Sequence, residues 1–456
     1  MKKSKLLIGT LCLALLLSSF VGCGKAAASS SASPSSEQAA SDAISSAANE
    51  KPVELTFFNT SAEVNNQFDD VFKLYHESHP NVTISLIPTP IGGQQIEQLQ
   101  SLLASKKPAT IANLDPGTIE VYKDKFLDLT PDRQSYEEIA QAGAIDGALL
   151  DGKFIGIPYT VQGYGLLYNT RILNEALGTT FDPSTIKTRD DLEALFKKVE
   201  AAGTPPVMIH GANWSVGAHY LGLAYSLQSK SVDDNRKFVG ELEKGTVDLS
   251  ANAAYNNVMD TFDILKKYNY RKSDPLVADY AKDASDFATG KVAFFFMGDW
   301  IWSQVGTLQG IDMEYGIIPV PFSNNASDYG NSEIPVSEPK LFAIDNSNST
   351  PEQQAAAKEF ILWLLTSEQG QDALVTKMGF NLPYKNVTAQ STNVVSTAVS
   401  KYIAEGKTIN IGVINYFPAD YWAKTGDSML KYLADKTDRA GVTKEIQDYW
   451  KTQTAH

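Results

Sequence analysis

Between Val53 and Asp115 the chain alternates two hydrophobic periods, and that alternation is its strongest constraint on fold. "VELTFF" (Val53 to Phe58) is a short apolar run of the kind buried on both faces of a sheet. From Asn66 to Ser78 the spacing is helical, with Phe68, Val71, Phe72 and Tyr75 on one face and Pro80 as the stop. "NVTISLIP" alternates Val82, Ile84 and Leu86; a second helical stretch runs from Gln94 to Ala104; "ATIANLD" is a third strand. Strands joined by helices of this length cannot be hairpins. They require crossovers, so the pattern predicts a parallel sheet covered by helices, an α/β fold.

The first fifty residues cannot join that core. Lys2, Lys3 and Lys5 precede an apolar run from Leu6 to Leu17, followed by small residues up to Gly22 and Cys23. Positive, then apolar, then small is the order of a secretion signal. The run is about a dozen residues, short of the roughly 20 that span a bilayer. "FVGC" (Phe20 to Cys23) resembles the lipobox of bacterial lipoproteins, which implies a signal peptide over residues 1–22 and a lipid on Cys23. Residues 23–50 are dominated by Ala, Ser and Gly and cannot bury enough surface to offset their ordering entropy. They are expected to be a flexible tether of about 25–30 Å. Cys12 is the only other cysteine, so a chain cut before Cys23 has no intramolecular disulfide.

Removing residues 1–22 takes three lysines and no acid, leaving 36 basic against 53 acidic residues, a net −17. That charge argues against nucleic acid as a partner, because phosphate contact needs a basic face. About 400 residues with 43% hydrophobic content are enough for two cores. Past Asp115, "KFIGIPYTVQGYGLLYN" holds two strand-like runs around Pro158. Helical patterns follow at Arg189–Ala202, Ala218–Gln228 and Ala253–Tyr268. "GKVAFFFMGDWIW" reads as a strand entering a helix start, and "YGIIPVPF" and "PKLFAID" as strands. "PEQQAAAKEFILWLLTSEQGQDAL" reads as one amphipathic helix with Ala355, Phe360, Trp363 and Leu364 among its apolar positions. Helices around Tyr421–Leu433 and Val442–Trp450 end the chain.

Four stretches in this order resemble the extracellular solute-binding proteins of bacterial ABC importers, in the family 1 type that binds sugars and oligosaccharides. They are "ELTFFNTSAE" with "HPNVTISL", then "DGKFIGIPYTVQGYGLLYNTRIL", then "FATGKVAFFFMGDWIWSQV", then "AAAKEFILWLLTSEQGQDALVTKMGFNLP". One departure precedes "LFAID": Glu338, Pro339 and Lys340 stand where many relatives carry glycines. The resemblance implies a two-lobed periplasmic-binding-protein-like fold with a hinge and an interlobe ligand cleft. Crossings are expected near Pro158, near Pro319 to Pro321, and between Thr366 and Pro383. Lobe one would then hold residues 51–158 plus about 321–366, and lobe two about 159–320 plus 367–456. It also implies a mono- or oligosaccharide ligand, ABC permease subunits as partners, a monomer on the extracellular face of the cell membrane, and no catalysis or cofactor.

A neutral sugar presents C–H faces that pack on aromatic rings and a rim of hydroxyls that bond to carboxylates and amides. Such groups belong at strand ends facing a crevice. Asp299 and Trp300 follow a buried strand, and in related sugar binders an aromatic at the Trp300 position stacks on ligand. Trp302 points elsewhere on a helix, so one of the two tryptophans is expected to be buried. Trp214 precedes a helix containing His219. Asn59 and Glu63 end the first strand, although Asn59 also suits a helix cap; Asp115 ends the third, although Asp before Pro-Gly also suits a turn. Gln162 and Tyr164 lie at the expected hinge. Of Phe417, Tyr421 and Trp422, one is expected on the second-lobe wall, with Trp422 taken.

Other classes find less support. The five histidines lack metal-ligand spacing, and no HExxH, GxSxG or phosphate loop is present in the sequence. A peptide or other small solute is the nearest alternative ligand. An anchored glycosidase would need two facing carboxylates, such as Asp115 and Asp299.

Overall fold

The structure is a computed structural model that describes residues 51–453, apart from 90–94, 142, 143, 151, 309, 311–313 and 419. The expected signal, tether and Cys23 lie outside the described residues. Two sheets organise the body. The first has the order Val82–Pro88, Val53–Asn59, Ile111–Leu114, Leu341–Ile344, Ile157–Pro158. Its first three strands are parallel, in the register Val53 opposite Val82 through Asn59 opposite Pro88; Leu341–Ile344 runs against them and pairs antiparallel with both Ile111–Leu114 and Ile157–Pro158. The second has the order Thr408–Asn410, Ile334–Ser337, Gln162–Asn169, Phe294–Gly298, Val207–Ile209, with Tyr315–Ile318 also paired to Gln162–Asn169.

The opening helix runs Asn65–Ser78 and buries the four residues its spacing selected, Phe68, Val71, Phe72 and Tyr75. Phe57 of the first strand meets Phe68 and Phe72 at ring separations of 4.8 and 5.3 Å, so strand and helix share one aromatic core. In the second sheet's lobe, Arg189–Ala201 starts at a Thr188 capping box, in which Thr188 and Asp191 satisfy each other's main-chain N–H groups.

Three expectations need correction. The stretch from Pro351 is not one helix. It ends at Thr366, and the Ser367 side chain caps a separate turn over Glu368–Gln371. Ala355 is exposed; Ala356 and Ala357 face the core instead. The second crossing does not lie at Pro319–Pro321. Val320 and Phe322 are buried with the second sheet, and Ile334–Ser337 still pairs with Gln162–Asn169. Those prolines end a strand and enter a loop that Asn331 holds by accepting from the N–H groups of Phe322 and Ser323. The chain crosses at 338–340, immediately before Leu341–Ile344 of the first sheet.

The third crossing is also later than expected. Leu374, Phe380, Leu382 and Tyr384 are buried in the first core, and the Tyr384 hydroxyl donates to the Pro158 carbonyl. Val395 belongs to the second lobe's core, so the chain crosses at about 390–393. The chain passes from the first sheet to the second at 159–161, between Ile157–Pro158 and Gln162–Asn169.

Candidate functional site

The parallel strands of the first sheet end at Asn59 and Leu114, and the buried strand of the second ends at Gly298. The segments just beyond these ends are where the two lobes approach each other. Helix Pro116–Val121 of the first lobe closes one side of the crevice between them against Gly412–Tyr416 of the second. A Cβ on Gly117 would stand only 2.9 Å from the Asn415 carbonyl oxygen.

On the second lobe four of the expected residues are joined ring to ring: Trp214, His219 and Trp300 are half-buried, and Tyr164 is buried at their base. Tyr164 stacks on His219 at 4.9 Å, His219 meets Trp300 at 5.0 Å, and Trp214 meets His219 edge-on at 5.3 Å. The Tyr164 hydroxyl donates to the His219 carbonyl, fixing the strand to the helix that carries the imidazole. That helix, Trp214–Leu221, is wound as a π-helix, a form that often appears at functional sites. Burial holds the His219 imidazole down at about 4, so near neutral pH it is an uncharged flat ring. Trp302 is the buried partner of the pair, packed edge-on against Tyr315.

The Trp300 indole lies over Gly298. A Cβ built there would be 1.9 Å from Cζ3 of the indole. The Gly298 backbone is ordinarily extended, φ −107° and ψ 174°, so the glycine is required by the ring and not by the chain conformation.

The first-lobe wall is polar. Lys340 places Nζ 3.1 Å from Asp115 Oδ1 and donates to Thr60 Oγ1 at 2.9 Å. Burial pushes the Glu63 carboxyl above its usual range, while its own main-chain N–H and the Lys340 charge oppose that. Glu63 also acts across the crevice. After desolvation, its charge is what raises the Tyr280 hydroxyl, and Tyr280 belongs to the second lobe beside Trp214, 6.5 Å between rings.

Asn59 is a correction. It is fully buried, and its amide is spent on its own lobe. Nδ2 donates to the Ser61 carbonyl and to Asn65 Oδ1, and Oδ1 accepts from Ser61 N and Asn113 Nδ2. It caps neither following helix; it ties the turn after the first strand to Asn65 and Asn113, and the neighbouring Thr60, also buried, bonds to Asn113 and accepts from Lys340. Asp299 is a second correction: it is 2% exposed, and its Oδ2 lies against the Ser396 hydroxyl at the third crossing, so the carboxyl is turned into the protein and not toward a ligand. Gln162 lines the same narrow space with Trp300, Met378, Gly379 and Phe380. Trp422 is 38% exposed and joins no ring of the wall, whereas Tyr421 and Phe417 pack in a core cluster with Trp450.

Sequence reasoning missed Tyr280, Thr60 and Lys340. Tyr280 starts a helix capped by Asp279, and that cap was a readable sign that its ring leaves a loop at a lobe edge. Lys340 stood in plain view as the departure before "LFAID". Among the described residues no group of three His, Cys, Asp or Glu side chains is placed to hold a metal ion. No described helix is long and apolar enough to cross a membrane.

Comparison with known proteins agrees with the two-lobed fold. An uncharacterised ABC transporter extracellular-binding protein of Pyrococcus horikoshii is 24% identical over 333 residues, 70% of this chain and 68% of that one. A solute-binding protein in complex with raffinose superimposes with a TM-score of 0.73 at 17% identity, over 88% of this chain and 99% of that one. A chitin oligosaccharide binding protein gives 0.72 at 18% identity, over 88% and 98%. A family model described as bacterial extracellular solute-binding protein matches residues 70–404. With a match across most of its length and two lobes enclosing a crevice, the chain belongs to the bacterial extracellular solute-binding protein family.

Proposed function

We propose that this protein is the receptor of an ABC importer for an uncharged oligosaccharide, and that Cys23 carries the lipid that holds it at the membrane. The observation that carries the ligand class is the wall of Tyr164, His219, Trp300 and Trp214, closed opposite a charge-balanced polar edge. Flat neutral rings suit the C–H faces of pyranoses, and the Lys340, Asp115 and Thr60 edge suits hydroxyls, which both donate and accept. A charged peptide terminus would need an unpaired counter-charge, and Lys340 is already committed to Asp115. Raffinose and chitin oligosaccharides, the ligands named for two structural neighbours, are the first candidates.

Ligand that touches both walls shifts the lobes toward the closed form, which the permease would read. The monomer on its tether delivers ligand without chemistry of its own. Titration calorimetry of the soluble body with raffinose, chitin oligosaccharides, tripeptides and amino acids tests the ligand class. Micromolar binding confined to sugars is expected; binding confined to peptides, or sugar cleavage, overturns it. Cys23→Ser is expected to release the chain from membranes into the medium.

A further inference from the structure

One serine at the third crossing has two acceptors and one proton. Ser396 Oγ lies 2.9 Å from Asp299 Oδ2 and 2.9 Å from the Gly379 carbonyl oxygen. Ser396 and Asp299 belong to the second lobe, whereas Gly379 sits between Met378 and Phe380 of the first core. A carbonyl only accepts. If Asp299 is ionised it also only accepts, and one of the two contacts is left acceptor against acceptor, the arrangement buried polar groups avoid. If Asp299 keeps its proton, both close in one direction: Asp299 Oδ2–H donates to Ser396 Oγ, and Ser396 Oγ–H donates to the Gly379 carbonyl. Asn393 fastens the same partners in parallel, its Nδ2 donating to the main-chain oxygens of Asp299 at 3.0 Å and Gly379 at 3.2 Å.

We propose that Asp299 is a positioning residue held as a neutral acid, whose proton clasps the second lobe to the first through Ser396 and so fixes Trp300 beside the hinge. The surroundings agree. The side chains around it are Gln162 and Tyr164 from the central strand, Trp300 from its own turn, Met378 and Phe380 from the first lobe, and Asn393 and Ser396 from the third crossing. Tyr164, whose hydroxyl is engaged with the His219 carbonyl, is the one titratable group among them. Burial pushes the Asp299 carboxyl up to about 7. The Ser396 hydroxyl opposes this, as do the N–H groups of Gly163, Asp299 and Trp300, but none of those N–H groups makes a well-formed hydrogen bond to Oδ1.

The sign follows from linkage. Between the unfolded value and about 7 the folded chain holds a proton the unfolded chain has lost, so this group's contribution to stability falls as pH rises and is flat above 7. The test needs no ligand and stands whatever the ligand is. Carboxyl carbon NMR of the 13C-aspartate-labelled body should show one aspartate titrating near 7, absent from Asp299→Asn. Asn can donate to Ser396 at every pH, so the melting temperature of the native chain should fall relative to Asp299→Asn by about 2–3 °C from pH 5.5 to 8.5. A purely structural role would give parallel curves, and parallel curves overturn the proposal. If Asp299→Asn does not fold, Ser396→Ala serves to assign the resonance, and an Asp299 carboxyl titrating below 5 overturns the proposal equally.

Discussion

Gly298→Ala tests whether Trp300 owes its place to a missing side chain. The new Cβ would lie 1.9, 2.3 and 2.4 Å from three indole carbons, where ordinary carbon contact is about 3.5 Å. The ring must therefore retreat by about 1.6 Å, off the surface it shares with His219. Backbone strain plays no part, because alanine accepts φ −107° and ψ 174°. Overpacking of this kind costs about 1–3 kcal/mol in stability, which thermal unfolding reads. Ligand affinity is expected to fall about tenfold or more, as for removal of a central aromatic anchor. Trp300→Ala is expected to lose a similar factor while the fold survives, because the indole is only half-buried. The double variant should bind no worse than Trp300→Ala alone, since no ring is left to displace, giving a coupling of at least about 1 kcal/mol by calorimetric titration. Additive losses, or native affinity in Gly298→Ala, refute the reasoning.

Gly117→Ala places a Cβ 2.9 Å from the Asn415 carbonyl oxygen across the crevice, so it should prop the lobes apart, cutting affinity about tenfold while the melting temperature of the free protein stays within about 2 °C. Lys340→Met strips Asp115 and Glu63 of their counter-charge; calorimetry should show weaker binding at pH 8, with part of the loss recovered as pH falls, because burial already raises the Glu63 carboxyl and the lost Lys340 charge no longer opposes it. Leu364→Ala empties a fully buried site on the helix Pro351–Thr366 and should cost about 2–5 kcal/mol in denaturant unfolding without altering the aromatic wall. His219 titrates at about 4 in the fold, so its contribution is present above the unfolded value of 6.5 and is lost as pH falls below it. His219→Phe should remove that acid-side loss.

What was legible in the sequence is what period and chain order determine. The Phe68, Val71, Phe72, Tyr75 stripe and the Val82, Ile84 alternation are local facts, and they built the first sheet's core as expected. Trp300 was placed at a strand end, Trp214 before a helix, His219 within that helix and Tyr164 at the hinge, but only the fold could bring the four rings together. Both misplaced crossings have one cause. Proline and helix-end signals report where a ladder stops, not which sheet the chain joins next. Pro319 and Pro321 end a strand whose successor, Ile334–Ser337, returns to the same sheet. Asn59 failed for a related reason: an amide at a strand end serves a crevice or a cap equally well until Ser61, Asn65 and Asn113 are seen around it.

The corrected crossings change what the hinge is made of. Lys340 sits in the second crossing and reaches Asp115 and Thr60 of the first lobe. Asn393 sits in the third and holds Asp299, the residue before Trp300. Tyr159 sits in the first, its hydroxyl accepting from Asn113, whose Oδ1 in turn accepts from Thr60 N. Each crossing is therefore one hydrogen bond, or two, from a residue of the wall. Hinge rotation changes the dihedral angles of these segments, so it cannot leave the wall residues where they were. Binding and closure then share the same few bonds, and a polar substitution at 159, 340 or 393 must alter both the affinity of the closed form and the population of the open one. At the second crossing that bond is an ion pair: Lys340 ties the segment to Asp115 and Thr60, so any rotation there must break the pair or carry a fixed charge.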